Sequence, residues 1–314
     1  MKNLLVSLAI GIFNSNSVCR KFTSIDDMFN KFLVEKERIE TSTSYKVYEQ
    51  SDLIQFETTT SDDLKIAGKY YINKTNKDSK WVIVMHGYTQ TKEITMATCS
   101  FYAGLGFNVV GFDFRNHGQS DDEYVSFGVS EQQDLISVIK YITNELGAKA
   151  IGLVGFSMGA YTLNLFALTA GDFIKKYNIK FGISDSTFFD IKPTLKRIAL
   201  QEASQIQITD DLIDSIFHEY KSNYKINTDL LNIDNVVSNQ KNTFPILFIH
   251  GEKDKITDPE DSLKLYNIRS NLTKSKNDNL IYIKGAGHIK SFVHDSKNYV
   301  ANVSNFISDI NFEL

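Results

Sequence analysis

Short apolar runs recur along the chain: "WVIVMH" at 81–86, "FNVVGFDF" at 107–114, "AIGLVGF" at 150–156, "FGIS" at 181–184, "PILFIHG" at 245–251 and "LIYIKG" at 280–285. Few polar residues interrupt them, as expected of strands covered on both faces. Ahead of them, "LIQFETTT" and "LKIAGKYYIN" alternate apolar and polar positions, which suits an antiparallel edge. Between most of the buried runs the spacing changes to that of helices, at 130–146, 158–170, 259–271 and 296–310. A further helix is expected within 24–40, opened by Ser24 as N-cap with Asp26 and Asp27 in its first turn. Strands alternating with helices imply an α/β class: a mostly parallel, doubly wound sheet covered on both faces.

One stretch breaks this rhythm. Residues 187–243 hold no strand run, but Ile191, Leu195, Ile198 and Ala199, then Leu212, Ile213, Ile216 and Phe217, fall at helical spacing. A small inserted helical cap is expected there. The organisation read from the pattern is thus an N-terminal apolar segment and helix over 1–43, then one α/β domain over 44–314 with 187–243 as its cap.

Composition changes this picture little. A chain of 314 residues buries about 75% of its unfolded surface, enough for one large core. The net charge of -4 is spread rather than gathered in runs, which argues against nucleic acid and anionic membrane surfaces as partners. The two cysteines, Cys19 and Cys99, form no C-x-x-C, so neither a disulfide framework nor a zinc site is indicated. The N-terminus reads two ways. Lys2 followed by the apolar run Leu4–Phe13, with Ser15 and Ser17 at small-residue spacing, matches a signal peptide cut before Val18, or a membrane association through 4–13. The same run is a hydrophobic helix docked on a cytoplasmic domain; ten residues are too few to span a bilayer.

The candidate chemistry starts at "GFSMG", residues 155–159. Ser157 directly follows one buried strand run and directly precedes a helix pattern, so it lies on a sharp strand–turn–helix junction. Gly155 and Gly159 then have a reason: strand and helix approach too closely there for a β-carbon. A serine hydroxyl needs a base, and the base an orienting acid. His288, in "KGAGHIKS", follows the last strand run, and Asp254, in "IHGEKDKITD", follows the one before. Nucleophile, acid and base therefore occur in that order, each at the carboxyl end of a strand, where α/β sheets gather their reacting groups. Asp185, after "FGIS", is the alternative acid. Oxyanion donors are expected from the Met158 amide at the helix start and the Tyr88 amide in "HGYTQ". The Tyr88 side chain, with Phe101 and Tyr102, suits a hydrophobic acyl group or a lid core. His86 and His250 read as packed or hydrogen-bonded histidines rather than a metal pair, His218 as exposed on a cap helix, and His294 as preceding the final helix. No cofactor is required by such chemistry.

"HGYT", "FDFRNHGQS", "GFSMGA", "HGEKDKIT" and "GAGH" together resemble the α/β-hydrolase superfamily, in particular bacterial monoacylglycerol lipase-like and S33 serine aminopeptidase-like hydrolases. The resemblance runs from about residue 50 to the C-terminus. It implies an α/β-hydrolase fold, with Ser157 as nucleophile, Asp254 as acid, His288 as base, Tyr88 and Met158 amides as oxyanion hole, and 187–243 as the substrate-selecting cap. It implies structural roles for Asp113, Arg115 and His117. The expected activity is that of a serine hydrolase cleaving a small-molecule carboxylic ester, esterase- or lipase-like. Peptide cleavage on the same site is the enzymatic alternative, and a non-catalytic binding protein of this fold the other.

Overall fold

A computed structural model describes residues 2–14, 37, 41, 48–75, 79–202, 209–236, 243–273 and 277–310. Apart from residue 37, the helix expected within 24–40 lies outside the described residues. Eight strands form one sheet: β1 (Ile54–Thr59), β2 (Lys65–Tyr71), β3 (Lys80–Met85), β4 (Asn108–Phe112), β5 (Ala150–Phe156), β6 (Ile179–Asp185), β7 (Ile246–Gly251) and β8 (Asn279–Ile283). Their order is β1-β2-β4-β3-β5-β6-β7-β8. β1 pairs antiparallel with β2 and β2 with β4, and every later pairing is parallel.

Along β3 the pleat sends Trp81, Ile83 and Met85 into one core cluster and Val82 and Val84 into a second, so both faces of the sheet are covered. Each such side chain contributes about 1.5–3 kcal/mol of transfer free energy, which is why the strands read as unbroken apolar runs. The principal helices are α1 (Lys2–Phe13), α2 (Lys92–Thr98), α3 (Glu131–Asn144), α4 (Met158–Thr169), α5 (Ile191–Glu202), α6 (Asp210–Asn223), α7 (Pro259–Thr273) and α8 (Ser296–Asp309). α4 is buried from Met158 to Leu168, matching its apolar composition on every side.

The strand order reverses at β3, whose neighbours are β4 on one side and β5 on the other. The chain leaves β3 and β5 at their carboxyl ends there, the usual ligand position in such sheets. Between β6 and β7 the chain departs into α5, α6 and two 3₁₀ turns, Thr228–Leu231 and Ile233–Asn235. α6 begins at Thr209, whose side chain accepts the Leu212 N–H, and it buries Ile213, Ile216 and Tyr220.

α1 packs on α6. Val6, Ala9, Ile10 and Phe13 enter the first core cluster. Asn14 ties the helix end down. Its Nδ2 donates to Tyr220 Oη at 3.0 Å, its Oδ1 accepts the Val125 N–H at 2.6 Å, and its carbonyl accepts from Asn116 Nδ2 at 3.0 Å. In the structure the N-terminal run is a helix lying on α6. Among the described residues no helix is long and apolar enough to cross a membrane.

Candidate active site

Ser157 stands between β5 and α4 with φ 51° and ψ −112°, a left-handed conformation that a non-glycine residue adopts only when its surroundings impose it. They do so through backbone bonds: the Ser157 N–H donates to the Asp185 carbonyl and its own carbonyl accepts the Tyr161 N–H, both at 2.9 Å. The flanking glycines are needed for space. A β-carbon at Gly159 would lie 2.5 Å from the Met85 carbonyl oxygen and 2.8 Å from that of His86, and one at Gly155 would overlap the Gly159 carbonyl. β3, β5 and α4 therefore meet at a point only glycine can fill. Phe156 packs into the second core cluster beneath the turn.

The structure brings Ser157, His288 and Asp254 into line. His288 Nε2 lies 2.9 Å from Ser157 Oγ and His288 Nδ1 lies 2.7 Å from Asp254 Oδ2. Since Nδ1 faces a carboxylate it carries the ring proton, leaving Nε2 as the acceptor towards the serine. Asp254 Oδ1 accepts the Ile256 and Thr257 N–H groups at 2.8 and 3.0 Å, and Oδ2 accepts the Thr257 hydroxyl at 2.8 Å. Burial alone would raise the Asp254 carboxyl, but hydrogen bonding and electrostatic attraction from His250 and His288 outweigh it and hold the group well below the usual carboxylate range. It is thus an anion throughout the neutral range.

The loops after β7 and β8 are pressed together so closely that a β-carbon at Gly251 would sit 2.5 Å from the Ala286 carbonyl. The Lys253 N–H donates to that same carbonyl at 2.8 Å. Ser186, just past β6, joins them: its Oγ accepts the Ile289 N–H at 3.1 Å and its carbonyl oxygen lies 3.2 Å from Thr257 Oγ1. Asp185, the alternative acid, is elsewhere. Its Oδ1 takes the hydroxyls of Ser186 and Ser291, at 2.9 and 3.3 Å, and burial pushes its carboxyl up to about 6.

Gly87 brings the loop after β3 against the serine: a β-carbon there would be 3.3 Å from Ser157 Cβ. Tyr88 follows it, and Met158, as the first residue of α4, has an N–H with no acceptor inside its own helix. "DFRNHGQS" holds this loop in shape. His86 Nδ1 donates to the Gly87 carbonyl at 2.8 Å while its Nε2 accepts the Phe114 N–H at 2.9 Å, and burial keeps the ring neutral by lowering it to about 4. His117 Nε2 accepts the Thr89 N–H at 3.2 Å. Asp113 takes the backbone N–H of Lys92 at 2.9 Å and of Gln119 at 2.9 Å, and pairs with the buried Lys92 ammonium. Arg115 forks onto buried Asp134 and onto Asp62. These are structural partners, as the resemblance implied.

One expectation is corrected. Phe101 and Tyr102 are fully buried in the second core cluster, against Phe292, Tyr299 and Phe107, and line no route to the serine. The Tyr88 hydroxyl donates to the Phe13 carbonyl at 2.7 Å, with its ring against Phe127 and His117. His218 is exposed on α6, and His294 precedes α8. His250 is fully buried and hydrogen-bonded, with Nδ1 2.7 Å from Ser262 Oγ. That it also reaches the acid, as Thr257 does, went unseen in the sequence. Both lie within "HGEKDKIT", a motif read there only for its aspartate.

A family described as the alpha/beta hydrolase fold matches residues 80–201. With the sheet order and the turn at Ser157, this defines the class by its architecture: the chain has the α/β-hydrolase fold. Among individual proteins, it is similar to the uncharacterized protein YqkD of Bacillus subtilis, 27% identical over 73% of this chain and 72% of the other. An acyl transferase of Photobacterium phosphoreum is 24% identical over 64% of this chain and 67% of its own length. The esterase Pf2001 of Pyrococcus furiosus superposes with a TM-score of 0.64 over 86% of this chain and 95% of that one, at 23% identity, a likeness of fold.

Proposed function

We propose that the chain is a serine hydrolase that cleaves a carboxylic ester through an acyl-enzyme intermediate on Ser157. The observation that carries this reading is the continuous line of contacts from Ser157 Oγ through the His288 ring to Asp254, at 2.9 and 2.7 Å, on a serine in a left-handed turn. His288 Nε2 takes the serine proton as Oγ attacks the ester carbonyl. Asp254 holds the imidazole in that tautomer and stabilises the imidazolium formed. The oxyanion is received by the Met158 and Tyr88 amides, each such donor being worth about 3 kcal/mol in the transition state. His288 then protonates the leaving alcohol, and in deacylation it activates water. The chemistry runs on the chain's own residues.

In this reading residues 187–243 are the cap that selects the acyl group. The esterase among the fold neighbours supports the reaction class. The acyl transferase relative favours one second reading, in which the same acyl-enzyme is discharged onto an alcohol other than water.

A fluorophosphonate probe is expected to label wild-type protein at Ser157, located by peptide mass mapping, and p-nitrophenyl esters of graded chain length to be hydrolysed in preference to aminoacyl anilides. Folded protein that resists the probe would favour a non-catalytic binding role. Faster anilide cleavage would favour the peptidase. Acyl transfer to an added alcohol, with little free acid released, would favour the transferase.

A further inference from the structure

His250 has no part in the mechanism above, yet it is fully buried against the acid that orients His288. Its Nε2 lies 3.2 Å from Asp254 Oδ2 and 3.2 Å from Thr257 Oγ1, a forked position between the two. Its Nδ1 lies 2.7 Å from Ser262 Oγ, on α7, and Ser262 is itself fully buried. Facing a carboxylate, Nε2 carries the ring proton, and Nδ1 accepts the Ser262 hydroxyl. The Thr257 hydroxyl proton is directed at Asp254 Oδ2, so its oxygen is free to accept from the imidazole. Two hydrogen-bond donors thus converge on one carboxylate oxygen, His288 Nδ1 and Thr257 Oγ1, and His250 Nε2 approaches the same oxygen to 3.2 Å while hydrogen-bonding to Thr257 Oγ1.

We infer that His250 is a positioning residue for the triad acid, a second imidazole on the far side of Asp254 that fixes the plane of the carboxylate and competes with His288 for its charge. The inference rests on the hydrolase reading for its kinetic meaning, though not for its geometry. Two consequences follow from elementary electrostatics. The carboxylate cannot swing out of line with His288, since α7 holds His250 through Ser262. And Oδ2 is approached by His250 Nε2 and the Thr257 hydroxyl as well as by His288 Nδ1, so its charge does not face the His288 ring alone.

The other charged groups around this cluster are few. Asp185, fully buried at the end of β6, acts electrostatically on both His250 and His288. The part-exposed pair of Arg197 and Asp258, 3.4 Å apart, flanks the loop beyond Thr257. Both are common to wild type and the variants below.

The test compares His250→Phe, which keeps ring shape without a donor, and His250→Gln, whose amide N–H takes the place of Nε2–H. Loss of one hydrogen bond to a charged group sets the scale. His250→Phe is expected to lower kcat by about 10–100-fold with KM little changed, and to move the acid limb of the pH–rate profile to higher pH; His250→Gln restores most of both. Independently of turnover, the low-field proton resonance of His288 Nδ1–H is expected to move further downfield in His250→Phe, as Asp254 loses a competing donor.

Should His250→Phe fail to fold, Ser262→Ala decides. It leaves the imidazole and removes its orienting hydroxyl, and is expected to move the same readouts in the same direction, less far. An unchanged resonance and pH profile in the folded variants would overturn the inference, as would a His250→Gln variant as impaired as His250→Phe. A wild type that the fluorophosphonate does not label, but whose resonance still moves in His250→Phe, would sink the hydrolase reading and leave the positioning contact standing.

Discussion

Replacing Ser157 with alanine is expected to lower ester turnover by on the order of 10⁶ and to abolish fluorophosphonate labelling, while the protein remains folded. The size follows from how the groups act. His288 Nε2 meets Ser157 Oγ at 2.9 Å, and neither the base nor the acid behind it has another nucleophile to serve. What survives is the contribution of the oxyanion amides and substrate binding, which do not pass through the hydroxyl. Stability should change little, because the hydroxyl makes its hydrogen bond at a part-exposed site and the backbone bonds of the turn do not depend on it. A glycine at the same position separates chemistry from conformation. Ser157→Gly is expected to be equally inactive but to melt higher than Ser157→Ala, because φ of 51° strains any residue with a β-carbon. Steady-state hydrolysis beside thermal unfolding checks both statements, and retained hydrolysis in Ser157→Ala would remove the serine from the mechanism.

Gly159→Ala is expected to be a strongly damaging single-methyl change near the site. Its β-carbon would meet the carbonyl oxygens of Met85 at 2.5 Å and His86 at 2.8 Å, and backbone atoms at the end of a central strand have nowhere to move. Overpacking of this kind typically costs about 1–3 kcal/mol, and the rigid neighbours put this case at the upper end or beyond. Whatever relief occurs shifts α4 away from β3, carrying the Met158 amide away from the Gly87–Tyr88 loop. Activity should therefore fall even in the fraction that folds. Gly11→Ala makes the contrast: it sits in α1 with nothing within 4 Å of the new carbon, and better helix propensity should make it neutral or slightly stabilising. Denaturant midpoints for the two variants compare them directly. Equal midpoints would mean that the close approach at Gly159 carries no weight.

The strands were legible because burial on both faces leaves an unbroken apolar run, and the runs at 150–156 and 245–251 match β5 and β7 to within a residue. Ser157, Asp254 and His288 were legible because each sits where a strand gives out, so position along the sheet is written in the order of runs. Side-chain direction across space is not written there. Nothing near Tyr88 announces that its hydroxyl is taken by Phe13, 75 residues away, since that depends on how α1 lies over α6. Phe101 and Tyr102 advertise burial without saying in which layer, and an aromatic residue in the core and one in an acyl pocket have the same composition. His250 reads as one more apolar-run histidine until the turn at Gly251 folds Asp254 back beneath it.

The position of β8 has a further consequence. It is the outermost strand of the sheet, hydrogen-bonded on one side alone to β7, and four of its five residues are at least partly exposed. Residue 288, the proposed base, hangs from this margin, whereas Ser157 follows a central strand. Opening at sheet margins takes less free energy than unfolding of the whole domain, so the β8 edge should fray while the centre holds. Catalytic competence and global folding should then part company: in rising urea, hydrolysis is expected to fade before the far-ultraviolet circular dichroism transition, and amide exchange at 279–283 to outrun that at 150–156. Coincident loss of all three signals would mean that the margin is locked to the centre.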